Sequence, residues 1–197
     1  PAGTIHGGIE HVNGQYYVFY HRCTHTTDFS RQACAEPIEI GPDGTIRQVE
    51  VTSCGLNGGP LEARGSYPAA ICCNLYDGKP MRLGLKRRGK RPQIVEEDGR
   101  QIVRDITSGT VIGYKYFNFD GPVELSVTMR GDAQGMLSVS CTEGGETLAE
   151  LSITPAGEWR TLSVPLDPPR GKAPLFLKFT GPGKLQLSTL SFQGGKP

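Results

Sequence analysis

The sequence predicts an all-β chain, with a four-stranded antiparallel meander of the kind that makes one propeller blade, followed by a jelly-roll β-sandwich. Three observations carry this. No segment of the 197 residues sustains an apolar repeat of helical period. The chain has 27 Gly and 15 Pro, with turn dipeptides NG at 13–14 and 57–58 and DG at 43–44, 77–78 and 98–99. Beyond residue 93 the texture changes to nine longer amphipathic runs.

In the first unit, strands are read at 4–12, 15–22, 29–40 and 45–52, joined by NG, THTTD and PDG turns. Within YYVFY, Tyr16, Val18 and Tyr20 alternate to one face and Tyr17 and Phe19 to the other. Such a blade leaves two apolar faces that need cover. Residues 53–66 (SCGLNGGPLEARGS) are too rich in Gly and polar groups for anything but an ordered loop or linker, and YPAAICCNL at 67–75 reads as a short closing strand. A basic stretch at 79–91 carries Lys79, Arg82, Lys86, Arg87, Arg88, Lys90 and Arg91. It reads either as a solvated crossing between domains or as a patch for an anionic ligand. The later runs are QIVEE, RQIVRDI, TVIGYKYFNF, VELSVTMRG, GMLSVSCTE, ETLAELSI, EWRTLSVPL, PLFLKFTG and KLQLSTLSFQ. Tyr114 and Tyr116 in GYKYF alternate on one face, as core or inter-domain packing. The predicted organisation is a blade with its closing strand at 1–75, a basic linker at 76–92 and a sandwich at 93–197, with 93–192 closing a core of its own.

A formal net charge of +1 makes no case for nucleic acid or an acidic surface as partner. No apolar run approaches the length of a membrane span. The start at Pro1, without an initiator Met or a signal-peptide pattern, is what a processed, trimmed or truncated chain presents. The six cysteines (Cys23, Cys34, Cys54, Cys72, Cys73, Cys141) include no CxxC, and the adjacent Cys72 and Cys73 are poorly placed to bond each other. They read as mostly free, buried thiols, which leaves the redox compartment open.

The run HGGI–NGQYYVFYHR–FSRQACAEPI–DGTIRQVEVTSCGLNGGPL–YPAAICCNL resembles the C-terminal end of the catalytic domain of glycoside hydrolase family 43. DITSGTVIGYKYFNF, GEWRTLSV and KLQLSTLSF resemble a family 6 carbohydrate-binding module. The resemblance implies a five-bladed propeller fused to the module, in a β-xylosidase, α-L-arabinofuranosidase or arabinanase acting on xylan- or arabinoxylan-type plant polysaccharide. Five blades need roughly 250–300 residues. The first unit therefore matches only the last blade, a partial propeller.

The family inverts the anomeric centre with a carboxylate base and a carboxylic acid set apart by a water. The resemblance places these, and a third orienting carboxylate, on the first three blades. Glu10, Asp28, Glu36, Asp43 and Glu50 match no catalytic motif and read as solvated charge, so no catalytic residue is assigned. His6 resembles the family histidine that points into the central channel toward Ca²⁺ or a water. Ca²⁺ takes oxygen ligands, which favours a contact through water. His11, His21 and His25 lack metal-site spacing. Arg31 and Arg22 are the candidates for a substrate-contacting guanidinium, Arg31 in FSRQ being preferred; the alternative is an arginine bracing adjacent blades. In the sandwich, Trp159 matches one sugar-stacking aromatic and Gln186 stands where the module has its binding Asn, while Asp105 and Val111 replace aromatics. Glu96 and Asp98 resemble part of the module's Ca²⁺ site, with Ser188 in place of an acid.

Three readings follow: the C-terminal portion of a glycosidase, inactive unless the missing blades come from another polypeptide; a binding module for plant cell-wall oligo- or polysaccharide; or a structural protein that self-associates through its blade. An extracellular or periplasmic location suits the first two.

Overall fold

The computed structural model describes residues 6–24, 31–78 and 91–194. Asp28, His25, the THTTD turn beyond Thr24 and the basic stretch from Lys79 to Lys90 lie outside the described residues. β1 (Gly7–Val12), β2 (Gln15–Cys23) and β3 (Arg31–Ile38) form a three-stranded antiparallel sheet in that order. The turn between β1 and β2 has Asn13 and Gly14 at φ 50° and 84°, a primed hairpin geometry that matches strand twist and pairs Val12 with Gln15.

The fourth strand expected at 45–52 does not form. One isolated bridge, Ile40 to Ile46, is all that pairs there. The reason is that the following residues spend their hydrogen bonds elsewhere. The Thr52 amide donates to Glu36, and the Ser53 amide donates to the Lys115 carbonyl in the sandwich. No closed propeller occurs among the described residues.

Residues 61–76 join the sandwich rather than the first sheet. They form β4 (Leu61–Glu62), β5 (Gly65–Pro68), a 3-10 turn at Ala69–Ile71 and β6 (Asn74–Tyr76). The strand read at 67–75 is thus two strands on different sheets. Between them Ala69, Ala70 and Cys72 are small enough to be fully buried, and the core Tyr114 hydroxyl donates to the Ala69 carbonyl at 3.0 Å.

All nine later strands are present: β7 (Gln93–Glu97), β8 (Arg100–Ile106), β9 (Val111–Phe119), β10 (Val123–Gly131), β11 (Gly135–Ser140), β12 (Ala149–Ile153), β13 (Ala156–Leu166), β14 (Gly171–Thr180) and β15 (Leu185–Gly194). One sheet runs β13-β10-β15-β8-β7, with β5 also on β15. The other runs β12-β11-β14-β9-β4, with β6 also on β9. Between them lie Phe117, Phe119, Phe179, Phe192, Leu125, Met129 and Leu137, all at most 1% exposed.

On β9 the inward set changes from Ile112 and Tyr114 to Phe117 and Phe119, because the register with β14 slips between Ala173 and Leu175. Tyr114 and Tyr116 therefore do not share a face. Tyr114 is core, while Tyr116 lies outside under the Lys172 ammonium, 4.1 Å from its ring, and donates to Glu50. No described helix is long and apolar enough to cross a membrane.

Candidate functional site

Three neighbouring strand ladders slip at one end of the β13-β10-β15-β8-β7 sheet. Between β10 and β13, Met129 faces Arg160 and Gly131 faces Ala156, so residues 157–159 oppose Arg130 alone. Between β10 and β15, Thr128 faces Thr189 and Met129 faces Leu187, leaving Ser188 extra. Between β15 and β8, Leu187 faces Val103 and Leu185 faces Ile106, so Arg104 and Asp105 oppose Gln186. Bulges re-aim side chains. Here the slips hold Trp159, Arg130, Gln186 and Asp105, the last at φ 57°.

Arg130 organises the group. Its Cζ lies 4.5 Å from the Trp159 ring centroid, within cation–π range. Its Nε donates to Gln186 Oε1 at 2.9 Å, and its Nη2 bonds Glu97. Glu97 comes from the tip of the β7–β8 hairpin, where Asp98 and Gly99 take φ 50° and 71°. Beside Arg130 opens a groove of about 400 Å³, its polar lining from Arg130, Asp132 and Gln186 and another part from Pro155, Ala156 and Gly157. The exposed Asp132 accepts from the Lys184 amide at 2.6 Å. Asp105, only 12% exposed, accepts from Gln93 at 2.8 Å and from the Lys184 ammonium at 3.2 Å. Burial pulls its pKa up, but those two bonds and the nearby Arg104 outweigh burial and hold it below the usual carboxylate value.

No protein-family model matches the chain. It is 34% identical over 199 residues to a xylosidase/arabinosidase of Thermoclostridium stercorarium, covering 96% of this chain and 42% of that protein. The chain is a homologue of that protein. It spans less than half of its relative's length. Among solved structures, a glycoside hydrolase family 43 arabinoxylan arabinofuranohydrolase from Bacillus subtilis, in complex with cellotetraose, superimposes with TM-score 0.65 at 16% identity, over 99% of this chain and 42% of that one. The module CsCBM6-3 from Clostridium stercorarium, in complex with cellobiose, superimposes with TM-score 0.57 at 18% identity, over 70% of this chain and 99% of that one. The first sheet and sandwich together thus share the fold of part of a family 43 hydrolase, and the sandwich that of a family 6 module. This is the pairing the sequence resembles.

The site residues expected from the sequence fall in different places. Trp159 and Gln186 come together, but through Arg130, which the sequence did not single out. Arg22 turns toward the sandwich. Its Nη1 and Nη2 each donate at 2.8 Å to the carbonyls of Cys73 and Cys72, so it braces the first sheet against the sandwich. Arg31 is exposed at the start of β3, opposite Cys23, and is not part of the Trp159 group. His6 is exposed ahead of β1, an edge strand of its sheet, with its ring 6.0 Å from that of His21. The described residues enclose no channel around it.

Glu96 and Asp98 do not fit a Ca²⁺ site. Glu96 is exposed opposite Gln101, Asp98 sits in the hairpin turn, and the Ser188 hydroxyl donates to the Thr128 carbonyl at 3.5 Å. Among the described residues, no three His, Cys, Asp or Glu cluster as metal ligands. Glu36, read from sequence as solvated charge, is 2% exposed and accepts from Tyr20 and twice from Thr52. The six cysteines form no disulfide, and only Cys54 and Cys72 are buried, against the expectation of mostly buried thiols.

Proposed function

We propose that this chain is the glycan-binding C-terminal portion of a family 43-type hydrolase acting on arabinoxylan or xylan, of the β-xylosidase or α-L-arabinofuranosidase class, and that alone it does not cleave glycosides. The observation that carries the reading is the 34% identity to a xylosidase/arabinosidase across 96% of the chain. The groove beside Arg130 and Gln186 supports it, because its polar groups gather where three ladders slip. Inactivity rests on the acids in and after the first sheet, none of which matches a catalytic motif. Glu36 is consumed by internal hydrogen bonds and Glu50 by Lys115 and Tyr116, so neither stands as a free acid or base for inversion. No Ca²⁺ role is assigned to Glu96 and Asp98. A polymeric cell-wall substrate would be met outside the cytoplasm, which supports an extracellular or periplasmic location.

A second reading, association through the first sheet with a complementary propeller chain or a second copy, is favoured by one observation. Among the described residues, the exposed large apolar side chains, Ile9, Tyr16, Ile40, Ile46, Val51 and Leu56, all lie in or just after that sheet. Affinity electrophoresis in arabinoxylan, xylan and cellulose gels, with aryl xyloside and aryl arabinofuranoside assays, tests the main reading. The expected result is retardation by arabinoxylan or xylan without turnover. Unretarded migration in all three gels, or turnover that scales with pure chain, overturns it.

A further inference from the structure

Trp159 is the residue type that would stack a sugar, yet it does not line the groove; the guanidinium laid over its ring does. We propose that Arg130 is the specificity-determining residue of this groove. It meets the ligand's hydroxyl edge in place of an aromatic face, with Trp159 and Glu97 as positioning residues. The inference rests on the glycan-binding reading above.

Arg130 spends Nε on Gln186 and Nη2 on Glu97. Its Nη1 is the guanidinium nitrogen that neither bond uses. Trp159 beneath and Glu97 at the hairpin tip hold the guanidinium plane, so little side-chain freedom is left to lose on binding. Gln186 lends only its Oε1 to Arg130, and Asp132 only its Oδ1 to the Lys184 amide. A planar donor, an amide and a carboxylate thus line one open groove. That set reads neighbouring hydroxyls, which both donate and accept. Against an apolar sugar face it would leave charged groups desolvated without partners. The ligand class is therefore a pentose or hexose unit presented by its vicinal hydroxyls, as at a chain end or side branch, rather than a unit buried face-on along a chain.

The experiment compares wild type with Arg130→Lys, Arg130→Met and Glu97→Gln. Xylo-oligosaccharides and arabinofuranosyl-substituted ones are titrated by calorimetry. In the unliganded protein, iodide quenching of Trp159, the single Trp, is measured. Arg130→Met is expected to weaken binding roughly tenfold or more, as loss of a charged hydrogen bond does. Arg130→Lys recovers part of that loss. Arg130→Met also changes the iodide quenching of Trp159 because the cap is gone, and Glu97→Gln moves it in the same direction. Binding unchanged in Arg130→Met, with wild type still bound, overturns this inference alone. Wild type that binds no sugar overturns it together with the reading beneath it. Quenching unaltered in Arg130→Met removes the cap and with it the positioning role of Trp159.

Discussion

Removing the Glu36 carboxylate tests how the chain from 41 to 57 is held, because that segment has little strand pairing of its own. Glu36 sits on β3, 2% exposed, and takes the Thr52 amide at 2.7 Å, the Thr52 hydroxyl at 2.6 Å and the Tyr20 hydroxyl at 3.1 Å. Beyond Thr52, Ser53 pairs with Lys115 and Cys54 accepts from the Tyr116 amide through its sulfur, so the same contact fixes where the first sheet meets the sandwich. Hydrogen bonds to a charged group contribute about 1.5–3 kcal/mol each. Two of the three share Thr52 and do not add independently. Removing the carboxylate also recovers its own desolvation cost, so Glu36→Ala is expected to cost about 3 kcal/mol. Glu36→Gln, which keeps an acceptor toward Thr52, should cost about 1 kcal/mol. At about 2–4 °C per kcal/mol for a chain of this size, the alanine variant should melt roughly 6–12 °C lower if the chain unfolds as one unit. Calorimetry reads the melting temperature, and hydrogen exchange at the Thr52 and Ser53 amides reads the local tie. A Glu36→Ala protein with unchanged melting and unchanged protection at Thr52 would refute the reasoning.

Arg22→Met should loosen the first sheet from the sandwich, costing about 2–4 kcal/mol by loss of two guanidinium–carbonyl bonds, with exchange rising at residues 15–23 while β10 and β15 stay protected; equal protection everywhere would count against a brace. A fragment of 91–194 lacks β4, β5 and β6 and should unfold at lower temperature than one of 53–194, because Tyr67, Ala69, Ala70 and Cys72 pack on the sandwich core; equal midpoints would return residues 61–76 to the first unit. Asp105 has a depressed folded-state pKa, so its stabilising contribution is present above the ordinary carboxylate value, near 4, and is lost as pH falls through the lower folded value. Asp105→Asn should therefore flatten the acid limb of the melting-temperature profile and leave the neutral limb parallel to wild type.

What the sequence disclosed, and what it withheld, divides along one physical line. β10 was legible because VELSVTMRG alternates apolar and polar residues along its length, and β9, β14 and β15 because shorter stretches of each do so (FNF, LKF, LQL); a buried face enforces that period. The segment at 45–52 also alternates, yet makes no strand. Its hydrogen bonds go to Glu36 and, just beyond it, to Lys115, partners that no local pattern announces. Residues 67–75 looked like a closing strand for the first unit because proximity in sequence favoured that pairing. Their partners are instead β15 and β9, far along the chain. The candidate site follows the same logic. Trp159 and Gln186 could be singled out by their match to the family 6 module, but Arg130 could not. Its place depends on where three ladders lose register, and a two-residue period says nothing of register between strands. Once the slips are placed, the chemistry inverts. The ring that a sequence comparison selects as the sugar platform becomes the floor under a cation, and the Asp105 that replaces an aromatic becomes the anchor of Lys184, whose amide in turn holds Asp132 at the groove. A site walled by hydrogen-bonded ionic groups rather than an aromatic ring should choose its ligand by hydroxyl geometry, the choice that we propose Arg130 makes.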